Sequence, residues 1–118
     1  MSTIRTITVE QLAQALDANA VAELWNVLTD DYFTGEMIPG SRRLPLDRLV
    51  QGVRALGVAS DSPIVVYCSG PTCPQSGAAA AKLATLGYTN VQAFEGGLQA
   101  WKEAGHAVER VAVATAAA

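Results

Sequence analysis

The sequence predicts an α/β fold, a parallel β-sheet with helices on both faces. Short apolar or β-branched segments alternate with longer segments of helical spacing, and strands that are separated by helices pair in parallel through right-handed crossovers. The chain has 118 residues, half of them hydrophobic, which suffices for one buried core. We expect a single domain over residues 1–118, with its core at about 6–109 and a mobile tail at 110–118.

The first elements are a strand, a helix and a second strand. Arg5–Ile7 should form a short strand. Thr8 and Gln11 fit a capping box, so a helix should begin there and run to about Leu16 with apolar residues along one face. The segment Ala22–Val27 predicts the next strand.

A helical turn at 30–34 and a sharp bend at 38–40 should follow, and then an extended segment at 42–44. Pro45 suits the first turn of a helix, which we expect to reach Leu56 before Gly57 ends it.

The C-terminal half repeats the alternation. Ile64–Tyr67 is apolar and β-branched and predicts a central strand, and the alanine-rich segment Ser76–Leu86 predicts a helix that Ser76 can cap. Val91–Phe94 predicts the next strand, and Leu98–Ala104 the last helix. Both tryptophans should pack against the sheet faces: Trp25 and Trp101.

Composition and charge argue against several classes of function. The net charge of −3 and the absence of Lys/Arg clusters argue against nucleic acid as a partner. No apolar run approaches the ~20 residues of a membrane helix, and the N-terminus lacks the pattern of a signal peptide. Two cysteines without an export signal suggest a reducing, cytoplasmic location. With His106 as the single histidine, zinc sites and Ser/His/Asp triads lack partners, so we expect no metal and no cofactor.

Cys68 is the strongest candidate for a reactive residue. It directly follows the central strand, and a loop rich in Gly, Pro and Ser separates it from the next helix. Ligands of parallel sheets bind at the carboxyl ends of the strands. Loop amides and the positive helix end should favour the thiolate and place the Cys68 pKa below the ~8.5 of a free cysteine. The alternative is an inert, buried cysteine, but the loop Cys68–Gln75 is longer than a structural connection needs.

Cys73 lies five residues after Cys68. A loop of that length can bring the two Cα atoms within the roughly 4.4–6.8 Å that a disulfide requires. Cys73 is therefore a candidate resolving cysteine, which would attack a persulfide on Cys68 and leave a disulfide. A loop cysteine without chemistry is an equally good interpretation.

The order of four motifs resembles a single-domain rhodanese, a member of the sulfurtransferase homology family. These motifs are IPGS at 38–41, VVYC at 65–68, the helix at 76–88 and FEGGLQAW at 94–101. The resemblance covers about residues 6–109 and implies a five-stranded parallel sheet. It implies that Cys68 accepts sulfane sulfur, holds it as a persulfide and passes it to a nucleophile. We expect the substrate to contact the loop residues Ser69, Gly70, Pro71, Thr72, Pro74, Gln75 and Ser76.

The chain departs from the family pattern at several charged positions. The family loop usually ends in an arginine that helps to hold an anionic donor, whereas Gln75 stands there in a longer loop. The Asp-Val-Arg motif of the family is replaced by the segment 26–28, and Met37 replaces a histidine. These last changes are explained if both partners of a structural ion pair were replaced together, by Asn26 and Leu28. For Gln75 we expect a change of sulfur donor, with Arg42 or Arg43 as weaker candidates for the missing positive charge.

Three classes of function fit the sequence. The first is a sulfurtransferase that carries sulfur on Cys68 from thiosulfate or a thiol persulfide to cyanide, a thiol or a protein acceptor. The second is a dithiol redox or sulfur-carrier protein that uses Cys68 and Cys73 with a dithiol reductant. The third is a non-catalytic binding module. A related phosphatase is disfavoured, because it needs the arginine that Gln75 replaces.

Overall fold

The computed structural model describes residues 4–111 and contains two sheets. The strands of the larger sheet are β1 (Arg5–Thr6), β2 (Glu23–Asn26), β4 (Arg42–Arg43), β5 (Ile64–Tyr67) and β6 (Val91–Phe94). The strands β3 (Glu36–Met37) and β7 (Glu109–Arg110) form an antiparallel pair. The helices are α1 (Val9–Asp17), α2 (Leu49–Leu56), α3 (Gln75–Thr85) and α4 (Gly97–Glu103), and a 3-10 turn, Leu46–Arg48, precedes α2.

The larger sheet is parallel throughout and has the order β1-β6-β5-β2-β4, which confirms the predicted α/β architecture. Strand β5 lies in the middle, between β6 and β2. All four of its side chains are buried, as expected for a strand that is covered on both faces. The residue that follows it, Cys68, therefore lies at the centre of the carboxyl edge.

Helices cover both faces of the sheet, as predicted. One face packs against α2 and α3 through Trp25, Val27, Ile64, Val66, Val91 and Ala93. The other packs with Leu12 of α1 and with α4 through Leu24, Val65, Tyr67, Phe94, Leu98 and Trp101. Alternate residues of each strand thus enter opposite clusters, as the two-residue repeat of a strand requires. Both tryptophans pack on the sheet, on opposite faces.

Several element boundaries differ from the predictions. The helical turn expected at 30–34 is present, since the Phe33 N–H donates to Thr29 O, and it does not extend into a helix. The helix predicted at 45–56 is divided into the 3-10 turn and α2. Ser76 does not cap α3, because Pro74 occupies that position and Ser76 lies buried in the first turn.

The strand pair of β3 with β7 was not predicted, and it places residue 110, which was expected to begin a mobile tail, in a strand. The remainder of that tail, 112–118, lies outside the described residues. Within residues 4–111 no helix has the length and apolar character that crossing a membrane requires.

Candidate active site

The loop Cys68–Pro74 connects the central strand to α3. It contains a tight turn in which the Cys73 N–H donates to Gly70 O at 3.0 Å. Pro71 occupies the second position of that turn, where its fixed φ angle is favourable. The turn brings Cys73 back towards Cys68, and the Cys68 thiol lies 3.4 Å from the carbonyl oxygen of Cys73, to which it donates.

The start of α4 holds the other side of the loop. The N–H groups of Leu98 and Gln99 donate to Cys68 O at 3.1 Å and to Ser69 O at 2.9 Å. Gly97 has a φ of +59°, and a Cβ atom placed there would lie 2.5 Å from Cys68 O. Only glycine tolerates this approach, so α4 fixes the backbone around the cysteine closely.

Cys68 is completely buried and has a raised pKa. Burial is the largest cause, and the interaction with the Cys73 thiol raises the pKa further. The side chain and N–H of Ser76 act in the opposite direction but do not outweigh burial. The prediction of a low Cys68 pKa is therefore wrong for the resting dithiol. Burial destabilises the thiolate by more than the hydrogen bonds of Ser76 stabilise it.

Cys73 is the more acidic thiol of the pair. Burial opposes its ionisation, but hydrogen bonds outweigh it and lower the Cys73 pKa. The donors are the Cys68 thiol, the N–H groups of Gln75 and Ser69, and the Ser69 hydroxyl. The loop amides that were expected to surround Cys68 thus mainly face Cys73.

Ser76 lies beside Cys68 and is 1% exposed. Its hydroxyl is the buried side-chain group that lacks a hydrogen-bond partner among residues 4–111. An unpaired buried hydroxyl is unfavourable for folding, and such groups are uncommon in native proteins. The Ser76 hydroxyl is thus free to donate to an anion that forms on the Cys68 sulfur.

A pocket of about 410 Å³ opens onto the loop. It is lined by Tyr32, Ser69, Thr72, Cys73, Pro74 and Gln75, of which none carries a charged side chain. Four of the predicted contact residues thus form its wall, whereas Gly70 packs against Gln99, Pro71 is exposed elsewhere on the loop, and Ser76 is buried behind the wall. Tyr32, which is 64% exposed, was not predicted, since nothing in the local sequence places the turn at 30–32 beside this loop.

Gln75 joins the loop to the end of β2. Its side-chain oxygen accepts from the Thr29 N–H at 3.1 Å, and its amide nitrogen donates to the Thr29 hydroxyl at 3.0 Å. Arg43 donates to Leu28 O at 2.6 Å and pairs with Asp30 at 2.8 Å. Neither Arg43 nor Arg42, which pairs with Glu23, lines the pocket, so they do not replace the missing arginine there.

The profile of the family described as the Rhodanese-like domain matches residues 8–104. The chain belongs to this family. The uncharacterised protein YqhL of Bacillus subtilis is 34% identical to it over 80 residues, which are 68% of this chain and 60% of that protein. The chain therefore spans less than two thirds of the length of this curated relative.

Solved structures agree with this assignment. A thiosulfate sulfurtransferase from Pseudomonas aeruginosa is 27% identical, with a TM-score of 0.78, over 91% of this chain and 20% of that one. The rhodanese-like domain of an Anabaena protein is 23% identical, also with a TM-score of 0.78, over 92% and 81% of the two chains, and this likeness concerns the fold alone.

In this rhodanese-like domain, the residues that differ from the family pattern at 26, 28 and 37 are packed in the core or hydrogen-bonded. Leu28 and Met37 are buried apolar side chains. Asn26 is buried, and its side-chain oxygen accepts from the Leu28 N–H at 3.1 Å and from Arg43 at 3.3 Å. These contacts favour the interpretation that a structural ion pair was replaced as a unit.

Proposed function

We propose that the protein is a sulfurtransferase that holds sulfane sulfur as a persulfide on Cys68. The observation that supports this best is the placement of Cys68 at the end of the central strand, with the Ser76 hydroxyl beside its sulfur and without a partner. A persulfide anion offers that hydroxyl an acceptor. Family membership and the likeness to a thiosulfate sulfurtransferase point the same way.

The proposed donor is a thiol persulfide rather than thiosulfate. The pocket wall carries no charge, and Gln75, at the family's arginine position, is held by Thr29. A dianion would lose solvation there without gaining a cationic partner. The proposed acceptors are cyanide, a small thiol or a protein thiol, in a reducing compartment that keeps both cysteines free.

A dithiol sulfur carrier is the second candidate, because the Cys68 thiol contacts Cys73. In this cycle the Cys73 thiolate attacks the inner sulfur of the Cys68 persulfide. A Cys68–Cys73 disulfide forms, hydrosulfide leaves, and an external dithiol reopens the disulfide.

Mass spectrometry after exposure to a small thiol persulfide tests the proposal. We expect the wild type to gain one sulfur atom and to lose it to cyanide, and Cys68→Ser to retain no turnover. Peptide mapping after one turnover without reductant would show a Cys68–Cys73 linkage if the carrier cycle operates. A Cys68→Ser protein with full turnover would refute the sulfurtransferase proposal, and a wild type that stays unmodified would indicate a binding module.

A further inference from the structure

The two thiols differ in access. Cys73 forms part of the pocket wall, between Thr72 and Pro74. Cys68 lies behind it, is completely buried and packs among the apolar residues of α4 and the strand ends. The Cys68 backbone is in turn packed closely against Gly97 of α4. A sulfur donor in the pocket therefore meets Cys73 first.

We propose that sulfur enters on Cys73 and is relayed from there to Cys68. This inference rests on the proposed sulfurtransferase function and specifies its order: Cys73 is the entry thiol, and Cys68 is the buried site at which sulfur is held. The relay joins neighbouring residues, because the Cys68 thiol lies 3.4 Å from the carbonyl oxygen of Cys73.

Entry is an exchange at the outer sulfur of the donor. The Cys73 thiolate attacks the sulfane sulfur of a thiol persulfide, and the donor's S–S bond breaks. The persulfide proton passes to the departing donor, which leaves as the thiol, and Cys73 then carries the sulfur as a persulfide anion. The sulfane sulfur keeps its oxidation state, so no oxidant or reductant takes part.

The relay repeats this exchange inside the protein. The Cys68 proton moves to the outer sulfur of the Cys73 persulfide, and the Cys68 thiolate attacks that sulfur. The bond to the Cys73 sulfur breaks, and Cys73 leaves as a thiolate. The new persulfide on Cys68 passes its proton to the Cys73 thiolate and remains as the persulfide anion, so atoms, charge and electrons balance.

The environments of the two sulfurs favour this direction. A thiol of lower pKa leaves faster, and a thiolate of higher pKa is the stronger nucleophile. Hydrogen bonds from Ser69 and Gln75 stabilise the leaving Cys73 thiolate, whereas Cys68 is desolvated and has the higher pKa. The unpartnered Ser76 hydroxyl then donates to the sulfur that arrives at Cys68.

The chain contains only two cysteines, so each single variant leaves one labelled position. With a small thiol persulfide as donor and rapid acid quenching, Cys68→Ser should gain sulfur on Cys73 at the wild-type rate. Cys73→Ser should load Cys68 at least ten-fold more slowly. Loading of the wild type should reach its plateau at lower pH than loading of Cys73→Ser, because entry then follows the Cys73 thiolate.

The order of labelling in the unaltered protein gives a second measurement that does not depend on either variant. Quenched peptide mapping should show the added sulfur on Cys73 first and on Cys68 later. Loading of Cys68 at the wild-type rate in Cys73→Ser, or simultaneous labelling of both residues, would overturn the relay while leaving the sulfurtransferase proposal intact. A wild type that takes up no sulfur on either cysteine would instead remove the proposed function itself.

Discussion

At the scale of single residues, Ser76 is a position at which a substitution should alter function without lowering stability. A serine whose hydroxyl has hydrogen-bond partners contributes to folding through them, whereas the hydroxyl of Ser76 has none within residues 4–111. Ser41 offers the comparison, because its hydroxyl lies 2.7 Å from both Ile38 O and the Tyr67 hydroxyl. Alanine substitution at the two positions should therefore change the free energy of unfolding by different amounts.

We expect Ser76→Ala to leave the free energy of unfolding within about 0.5 kcal/mol of the wild type or to raise it, because no hydrogen bond is lost. Ser41→Ala should lower it by about 1 kcal/mol. Ser76 acts to lower the Cys68 pKa, so in a Cys73→Ser background, where loading depends on the Cys68 thiolate, its removal should raise that pKa and shift sulfur loading to higher pH. Urea denaturation and a thiolate titration in a Cys73→Ser background measure the two effects. Destabilisation with an unchanged Cys68 pKa would identify Ser76 as a structural residue.

At the scale of elements, the approach of α4 to the cysteine loop fixes the site. Gly97→Ala would place a methyl group 2.5 Å from Cys68 O and 2.8 Å from the Gly70 nitrogen, at a φ of +59°. We expect a loss of more than about 2 kcal/mol and slower sulfur loading, because backbone atoms cannot yield as a flexible side chain can.

Gly77 provides the matched control for this substitution. It lies inside α3 with open space around its Cβ position, so Gly77→Ala should stabilise by about 0.5–1 kcal/mol. Chemical denaturation of both variants checks the pair. Equal effects of the two substitutions would contradict the close contact between α4 and the loop.

Elements with a strong repeat were predictable from the sequence, and those without one were not. The four-residue strands β2, β5 and β6 and the helices follow apolar periodicity and fall close to the expected positions. The two-residue strands β3 and β7 have no period to detect, and they pair across most of the chain. The sequence predicts Ser76 as a cap because cap residues are recognised by type, whereas the helix begins one residue earlier.

The site was predictable to the extent that it is local in sequence. Cys68 and its loop follow from the strand–loop–helix order. The bond of Gln75 to Thr29 joins residues 46 positions apart, and local patterns do not show it. The relative acidity of the two thiols depends on burial against α4 and on which amides the turn directs at Cys73. Those quantities exist only in the folded chain.

At the scale of the whole molecule, the negative net charge and the uncharged pocket both disfavour thiosulfate as the sulfur donor. The chain has a net charge of −3 and thiosulfate has two negative charges, so the two repel each other as they approach. Added salt shortens the screening length from about 30 Å at 0.01 M to about 8 Å at 0.15 M. The rate constant for loading by thiosulfate should therefore rise a few-fold over this range. The persulfide of a small neutral thiol carries at most one negative charge and should show a much smaller rise.

Two substitutions that add the same charge distinguish the pocket from the whole surface. Gln75→Arg places a cation at the pocket wall and should lower the Michaelis constant for thiosulfate more than that for the thiol persulfide. Gln51→Arg adds the same charge at an exposed position of α2, so it should reduce the salt dependence without changing donor preference. Stopped-flow loading at several ionic strengths measures both effects. A wild type that prefers thiosulfate, responds weakly to salt and gains nothing from Gln75→Arg would show that positive charge reaches the donor from another part of the protein.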